Sequence, residues 1–354
     1  MIDPAFWSGR RVLLTGHTGF KGGWLALWLR AMGAQVYGFA LPPSTSPALF
    51  ELAHVGEDGA GSLGDLRDQA AVSAAVRAAR PEIVLHLAAR ALVRASIADP
   101  CDAFASNVMG TAHILEALRQ CSEVSTILVV TSDKVYANDE SGAAFDERTP
   151  LGGKDPYSAS KAATEMVVRA YRETYFRQKG VRLATARGGN VIGGGDYSED
   201  RIVPDIVRAV SAGSKPVIRM PHAVRPWQHA LDCLAGYLLY AQALHRRVEL
   251  PDALNFGPEP SAPVTVGELT KALLEALGHA PEFVHQPIPN SIEMRTLTLN
   301  SDLARRILGW RDLLPGRLAI DWTAHWYGAV GRGEDPRAKT LSQIDDYCQL
   351  QSRR

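Results

Sequence analysis

A short apolar run, RVLLT (Arg11–Thr15), leads directly into TGHTGFKG (Thr15–Gly22), and no other stretch restricts the fold of this chain so tightly. Gly16, Gly19 and Gly22 follow a strand pattern and open a helix pattern at the spacing GxxGxxG. At such a place the first glycine permits a tight turn. The second lets the backbone approach a pyrophosphate, and the third lets helix and strand pack closely. The helix N-terminus then offers free N–H groups and the positive end of its dipole to that phosphate.

The rest of the first half keeps the rhythm that this turn starts. Arg11–Thr15, Ala34–Ala40, Glu82–Ala89, Ser125–Ser132 and Arg182–Gly188 read as buried strands, with a shorter one ahead of GDLRD (Gly64–Asp68). Helix-period stretches lie between them at Lys21–Met32, Arg67–Ala79, Cys101–Arg119 and Tyr157–Gln178. Strand and helix in alternation give an α/β fold, a doubly wound parallel sheet of the Rossmann type. Past Gly188 the rhythm breaks into GGNVIGGGDYSED, and later elements are shorter. Two late pieces, a helix in PWQHALDCLAGYLLYAQALHR and a strand in DALNFG, are expected to rejoin the sheet. The predicted partition is a dinucleotide domain over 1–188 plus about 227–256, and a smaller α/β substrate domain over 189–226 and 257–354.

A chain of 354 residues can bury a core of that size. Its 38 basic and 38 acidic residues cancel, which argues against a nucleic-acid or anionic-membrane surface. Any phosphate must then be met by a few local groups. Cys101, Cys121, Cys233 and Cys348 are scattered with no CxxC, so neither a disulfide frame nor a metal site is expected. The start, MIDPAFWSGRR, has no apolar signal core, and no run approaches membrane-spanning length. The expectation is a cytoplasmic protein.

Two further motifs carry chemistry. YSASK sets Tyr157 and Lys161 on one helical face. An ammonium there, with a cationic nicotinamide, is expected to lower the tyrosine from about 10 toward neutrality. Such a tyrosine takes a proton from a hydroxyl as hydride leaves the carbon. A second pair with the same spacing, Tyr175 and Lys179, reads as a solvated helix end. VVTSDKVYAN (Val129–Asn138) ends a buried strand in Ser132, Asp133 and Lys134. On a straight strand Asp133 and Lys134 face opposite sides, so the strand must end and turn for both to reach one ligand. The plain alternative is a polar loop closing a strand.

The residues do not decide between NAD and NADP. After the second strand, YGFALPPSTSP holds neither an acid for the adenosine ribose nor an arginine for a 2′-phosphate. Asp65 reads equally as an adenine contact and as part of a turn with a helix cap.

Taken together, TGHTGFKG, HLAAR, SNVMGT, VTSDKVY and YSASK resemble the extended short-chain dehydrogenase/reductase family. TGHTGFKGGWL, VTSDK, PLGGKDPYSASK, RGGNVIGGGDYSEDRIVPD, RPWQHALD and LGW narrow the likeness to its CDP-glucose 4,6-dehydratase branch, from the first strand to about residue 325. Most dehydratases acting on other nucleotide sugars carry Asp–Glu where this chain has Asp133–Lys134.

The resemblance implies NAD as cofactor and CDP-glucose as substrate, with C4 oxidation, water loss across C5–C6 and hydride return to C6. It implies that Tyr157 removes the C4 hydroxyl proton, that Lys161 tunes it and binds the nicotinamide ribose, and that Ser132, with Thr131, bonds the C4 oxygen. Asp133 would protonate the departing C6 hydroxyl. Lys134 replaces a glutamate base, and direct participation is the favoured role. A proton shared with Asp133 and pure electrostatic stabilisation of the enolate are the alternatives. The dinucleotide is implied along Gly16, His17, Gly19, Phe20, Gly22, Asp65, Leu66, Leu87, Ala88, Ala89, Asn107, Thr131, Tyr157 and Lys161.

Asn190 and Asn255 are implied at the substrate and Arg225 and Arg295 at its diphosphate, with Arg219 a further candidate, since arginine forks suit phosphate oxygens. For Arg219 and Arg295 a surface salt bridge is the plain alternative. Trp227 and His229 are expected to pack locally. Arg90 stands where the family tends to have a neutral amide, and is expected near cofactor and sugar. The helices Cys101–Arg119 and Tyr157–Gln178 pair across a dimer in the resembled family, so a homodimer is expected. The competing functions are dehydration of another nucleotide hexose, nucleotide-sugar epimerisation, which needs no acid at Asp133, and dinucleotide binding without catalysis.

Overall fold

The computed structural model describes residues 1–57, 59–138, 140–246, 249–259, 264–287 and 297–353. Strands β1 (Arg11–Thr15), β2 (Gln35–Ala40), β3 (Ala60–Leu63), β4 (Ile83–His86), β5 (Thr126–Val130) and β6 (Arg182–Gly188) share one parallel sheet with a seventh, Ala253–Phe256. The spatial order is seventh, β6, β5, β4, β1, β2, β3. The chain therefore leaves β1 in one direction and returns to β4 on its other side. Thr15 lies opposite both Phe39 and His86, and His86 lies opposite Val129, so the carboxyl ends finish at one level. Open α/β sheets bind their ligands just beyond such a reversal.

Alternation along each strand feeds two cores. Val12, Leu14, Leu85, Leu128 and Ala186 face one, while Leu13, Val84, Ile127, Val129 and Leu183 face the other. The first core takes the helices Phe20–Ala31 and Ala230–His245. Each is covered on its outer side as well, so each is apolar nearly all round. Trp24 through Leu29 are all buried, and Trp28 meets Tyr347 of the last helix, Pro336–Ser352, edge-on at 5.5 Å. Asp232 fastens this arrangement from inside Ala230–His245. Its carboxylate accepts hydrogen bonds from Leu313 N at 2.7 Å, Leu314 N at 3.1 Å and Tyr347 Oη at 2.8 Å. Burial, and then Asp312, raise its pKa to about 7.

The second core lies under the helices Gln69–Ala79, Gly110–Leu118 and Pro156–Tyr171. The stretch predicted as one helix over Cys101–Arg119 comes in three parts. Pro100–Phe104 passes through a π-helical turn, Ala105–Met109, into Gly110–Leu118. Such turns widen a helix by one residue and often accompany function; here the widened turn carries Asn107. Pro156–Tyr171 begins cleanly because Pro156 occupies the first turn and Asp155 accepts from Ser158 N at 3.0 Å. It runs on through Arg172–Phe176 and Arg177–Lys179.

Beyond Gly188 the sheet gives way to short ladders. Val191–Ile192 pairs with Gln228–His229, Val217–Ile218 with Val284–His285, and Val224–Arg225 with Val264–Thr265. With the helix Ile202–Ser211 they form the wall that faces the strand ends. No helix among the described residues is long and apolar enough to cross a membrane.

Candidate active site

The glycine turn has the shape that a dinucleotide pyrophosphate requires. Gly16 sits at φ +79°, a left-handed conformation, and a Cβ there would stand 2.8 Å from Ala88 N. Helix Phe20–Ala31 starts on Gly19, which has no side chain to cap it, so its first N–H groups face outward. His17 turns away from this turn toward β2, edge-on to Phe50 at 5.4 Å, and burial followed by Arg30 lowers its pKa to about 4. It is a neutral, packed ring beside the turn.

One cavity of about 920 Å³ opens past the ends of β1, β4 and β5. Thr131, Ser132, Asp133, Lys134, Tyr157, Lys161, Leu87, Ala89, Asn190, Arg219 and Arg225 all line it. The turn that Asp133 and Lys134 need is present. Backbone Ser132 is still extended, and Asp133–Val135 then makes a single 3₁₀ turn with Lys134 N donating to Ser132 Oγ at 3.2 Å. Ser132 Oγ donates to Asp133 Oδ1 at 2.9 Å and lies within reach of the Tyr157 hydroxyl. Asp133 is 2% exposed, and its Oδ2 finds no partner among the described residues. Burial raises its pKa, while Lys134, Ser132, Arg225 and Lys21 oppose that rise. A buried carboxyl with one idle oxygen is suited to hold a proton and hand it over.

Lys161 Nζ donates to Val130 O at 3.1 Å, which anchors the ammonium at the end of β5. Burial, and then the nearby Lys21, lower its pKa to about 7, with Glu165 opposing. Tyr157 departs from the expectation. Burial raises its pKa, and the Ser132 bond and Arg201 only offset part of that rise. Desolvation outweighs the help of neighbouring cations in the chain by itself.

The floor beneath these groups is tied together by hydrogen bonds. Glu165, one helical turn beyond Lys161, accepts from Thr131 Oγ1 at 2.6 Å, Thr185 Oγ1 at 2.9 Å, and Arg187 Nε and Nη2 at 3.0 and 2.9 Å. On the other side His86 fixes β1, β4 and the helix Gly110–Leu118. Thr111 Oγ1 gives its proton to Asn107 O at 2.6 Å, so His86 Nε2 must donate to that oxygen at 3.1 Å. Nδ1 then accepts from Thr15 Oγ1 at 2.7 Å. A neutral ring fits, because burial and Lys161 lower its pKa to about 3.

Several predicted residues are placed elsewhere. The Thr131 hydroxyl, expected at the C4 oxygen, is committed to Glu165. Asn255 lies outside the cavity; its amide accepts from Tyr136 Oη at 2.6 Å and donates to Phe145 O and Asn300 O, so it holds loops together. Asn107 supports the site: it bonds both the N and the O of Arg90 and reaches Ser160 Oγ at 2.8 Å. The Asp65 carboxylate is held by Arg67, and Arg67 and Arg90 both pair with Asp102. The Arg90 guanidinium is thus drawn to that surface cluster, outside the cavity lining. Ala88 and Leu66 sit beside the glycine turn and the helix Gly110–Leu118. Arg219 pairs with Asp200 at 3.2 Å, while Arg225 Nη1 donates to Val224 O at 2.9 Å. Arg295 lies outside the described residues. His229 packs edge-on between Trp24 and Trp322 as a local structural ring.

The structure also brings in residues that motif reading passed over. Lys21, Arg94 and Arg201 line the cavity. Lys21 stands inside the glycine motif itself, and its cationic character among small and apolar residues was the only signal available.

The model of the NAD dependent epimerase/dehydratase family matches residues 12–257. A curated CDP-glucose 4,6-dehydratase from Salmonella typhimurium is 39% identical over 359 aligned residues, covering 100% of both chains. Among solved structures, a Thermus thermophilus UDP-glucose 4-epimerase in complex with NAD is 28% identical with a TM-score of 0.78, covering 91% of this chain and 99% of its own. A dTDP-glucose 4,6-dehydratase from Streptomyces venezuelae, solved with NAD bound, is 25% identical with a TM-score of 0.78, covering 92% and 99%.

Proposed function

Since this chain belongs to the NAD dependent epimerase/dehydratase family, we propose that it converts CDP-glucose to CDP-4-keto-6-deoxyglucose, as an NAD-dependent hydro-lyase. The observation that carries the reading is the meeting of Tyr157 and Ser132 with a buried, half-unpartnered Asp133 in one cavity at the strand reversal. An epimerase needs the first two; elimination needs an acid as well.

NAD fits the outward N–H groups at the glycine turn and the Lys161 ammonium, and when bound it supplies the hydride acceptor together with a positive ring charge. Tyr157, bonded to Ser132, takes the C4 hydroxyl proton while hydride leaves C4. The new ketone acidifies C5–H, and Lys134, half-buried on the cavity wall beside Asp133, takes that proton as the neutral amine of the pair, the proton the two share resting on Asp133. Asp133, whose burial favours the protonated form, gives its proton to the C6 oxygen as water departs. Arg225 and Arg219, with Asn190 between the strand ends and the facing wall, hold the nucleotide diphosphate. We assign 1–188 with 227–256 to cofactor binding, and 189–226 with 257–354 to the nucleotide sugar. The protein works in the cytoplasm as a homodimer. Phe104, Met109 and Met166, exposed at 39%, 52% and 51% on the two helices expected to pair, support that assembly.

The test offers CDP-, dTDP-, UDP- and GDP-hexoses and follows loss of one water by mass spectrometry. CDP-glucose is expected to react, a deuterium at C4 to arrive at C6, and solvent hydrogen to enter C5. Inversion at C4 without water loss would make this an epimerase. Turnover with another base alone would reassign the substrate. Lys134→Met should leave C4 oxidation intact and slow C5 exchange; unchanged turnover would remove Lys134 from the mechanism.

A further inference from the structure

Two arginines from opposite sides of the cavity converge on one carboxylate oxygen. Arg94 stands on the short helix Val93–Ala98, which follows β4, and Arg219 follows the ladder strand Val217–Ile218 on the facing wall. Arg94 Nη1 donates to Asp200 Oδ1 at 3.1 Å, and Arg219 Nη1 donates to the same oxygen at 3.2 Å. All three residues line the cavity. A phosphate oxygen placed where Oδ1 stands would be within hydrogen-bond distance of both guanidinium groups. Arginine forks meeting from two sides suit such an oxygen well.

Stability does not account for the aspartate between them. Asp200 sits at φ +57°, a left-handed conformation that glycine takes freely and a side chain takes at some cost. Asp200 and Arg94 are both exposed, at the mouth of the cavity, and an ion pair in such a place is screened and contributes little. Asp205, in the helix Ile202–Ser211 that follows, is near enough to feel the charge of Asp200, and the two acids oppose one another. Backbone, screening and a like-charged neighbour all work against a carboxylate here. What it does supply is a negative charge where two cations meet in a ligand cavity.

We propose that Asp200 stands in for a phosphate of the nucleotide, holding Arg94 and Arg219 across the cavity mouth until the diphosphate displaces its carboxylate and takes both arginines. The step rests on the nucleotide-sugar reading given above, and it adds Arg94 to the residues that grip the ligand. Without an acceptor between them the two guanidinium groups would repel each other, and the ligand would have to order them as it binds. With Asp200 in place they wait in position, and the ligand has only a weakly held acid to displace. The same charge competes with the diphosphate for both arginines. A neutral acceptor at residue 200 should keep the placement and remove the competition, so the ligand should bind more tightly. A bracing role predicts the opposite sign.

The experiment measures binding of CDP, UDP, dTDP and GDP by calorimetry to the full chain saturated with NAD, in the wild type, Asp200→Asn and Arg94→Met. Asparagine keeps an accepting oxygen, suits the left-handed backbone and removes the charge. Asp200→Asn is expected to lower the dissociation constant of whichever diphosphate binds by about fivefold, the scale of the exposed ion pairs it releases. Arg94→Met is expected to raise that constant by about tenfold, and Arg94→Lys, which keeps the charge without the fork, by less. Weaker or unchanged binding in Asp200→Asn would overturn the proposal, and so would an Arg94→Met protein that binds as the wild type does. Asp200→Ser, neutral and still an acceptor, gives the same reading should the asparagine variant fail to fold. If the wild type binds none of the four, the nucleotide reading falls and this proposal with it. Binding that ignores both substitutions overturns this proposal alone.

Discussion

Two Tyr-x-x-x-Lys pairs stand along one helical run, Pro156–Tyr171 continued by Arg172–Phe176 and Arg177–Lys179, and only one of them faces the cavity. Tyr157 and Lys161 are buried at the ends of β5 and β6, with the lysine donating to Val130 O. Tyr175 instead lies under the Arg119 guanidinium at 3.9 Å, and the exposed Lys179 donates to Arg119 O at 2.6 Å. Even the acids that accompany them differ. Glu165 pairs with Arg187 inside the protein, whereas Glu173 pairs with Arg177 at the surface, at 3.1 Å. Spacing puts two groups on one side of a helix. What that side meets sets the two pairs apart, here the strand ends and other buried charges of the cavity.

The contrast can be broken or sharpened by matched substitutions. Tyr157→Phe is expected to cut kcat by about 10²- to 10⁴-fold, while Tyr175→Phe leaves it within about twofold; water-loss assays on both compare them directly. Next in size, Glu165→Gln should destabilise the protein by about 3–5 kcal/mol in urea unfolding, because it strands Arg187 in the interior. Glu173→Gln should cost less than about 1 kcal/mol.

The lysines give a smaller, pH-dependent difference. Lys161 falls from 10.5 to about 7 on folding, so between those values the unfolded chain binds the extra proton. Stability therefore rises with pH across that window and carries the full penalty below it. Lys161→Met should remove more than about 1.4 kcal/mol of that rise, one pKa unit's worth, as measured by denaturant midpoints at pH 7 and 9.5. Lys179→Met, at the surface, should change neither the slope nor the midpoint beyond about 0.5 kcal/mol.

The first half of the fold was legible because the inner parallel strands β1, β4, β5 and β6 are buried on both faces and each turn declares itself. Arg11–Thr15 and Arg182–Gly188 are strands at the predicted bounds. The candidate site was legible where a motif lies on a strand end, as with Ser132, Asp133 and Lys134, which line the cavity. It was hidden where a side chain's partner comes from far along the chain. Nothing local to Thr131 indicates that its hydroxyl is engaged by Glu165, nor does anything near Arg90 indicate Asp102. Asn255 carries the same lesson, since its amide closes on Tyr136, Phe145 and Asn300, none of them a sequence neighbour. Lys21 was hidden differently: a motif read for its glycines conceals what its other residues do.

The Asp232 clasp bears on how such a molecule is inherited. Its carboxylate comes from one half of the gene product, and the amides and hydroxyl that satisfy it come from residues 313, 314 and 347. A recombination event with its crossover between them would join an aspartate to a foreign tail that need not present those donors. The hybrid would then bury an unsatisfied acid in its largest core, even with every cavity-lining residue in place. Lineages can trade the short ladders around the sugar by point substitution, but the last helix has to be passed on together with the strand-end chemistry it never touches.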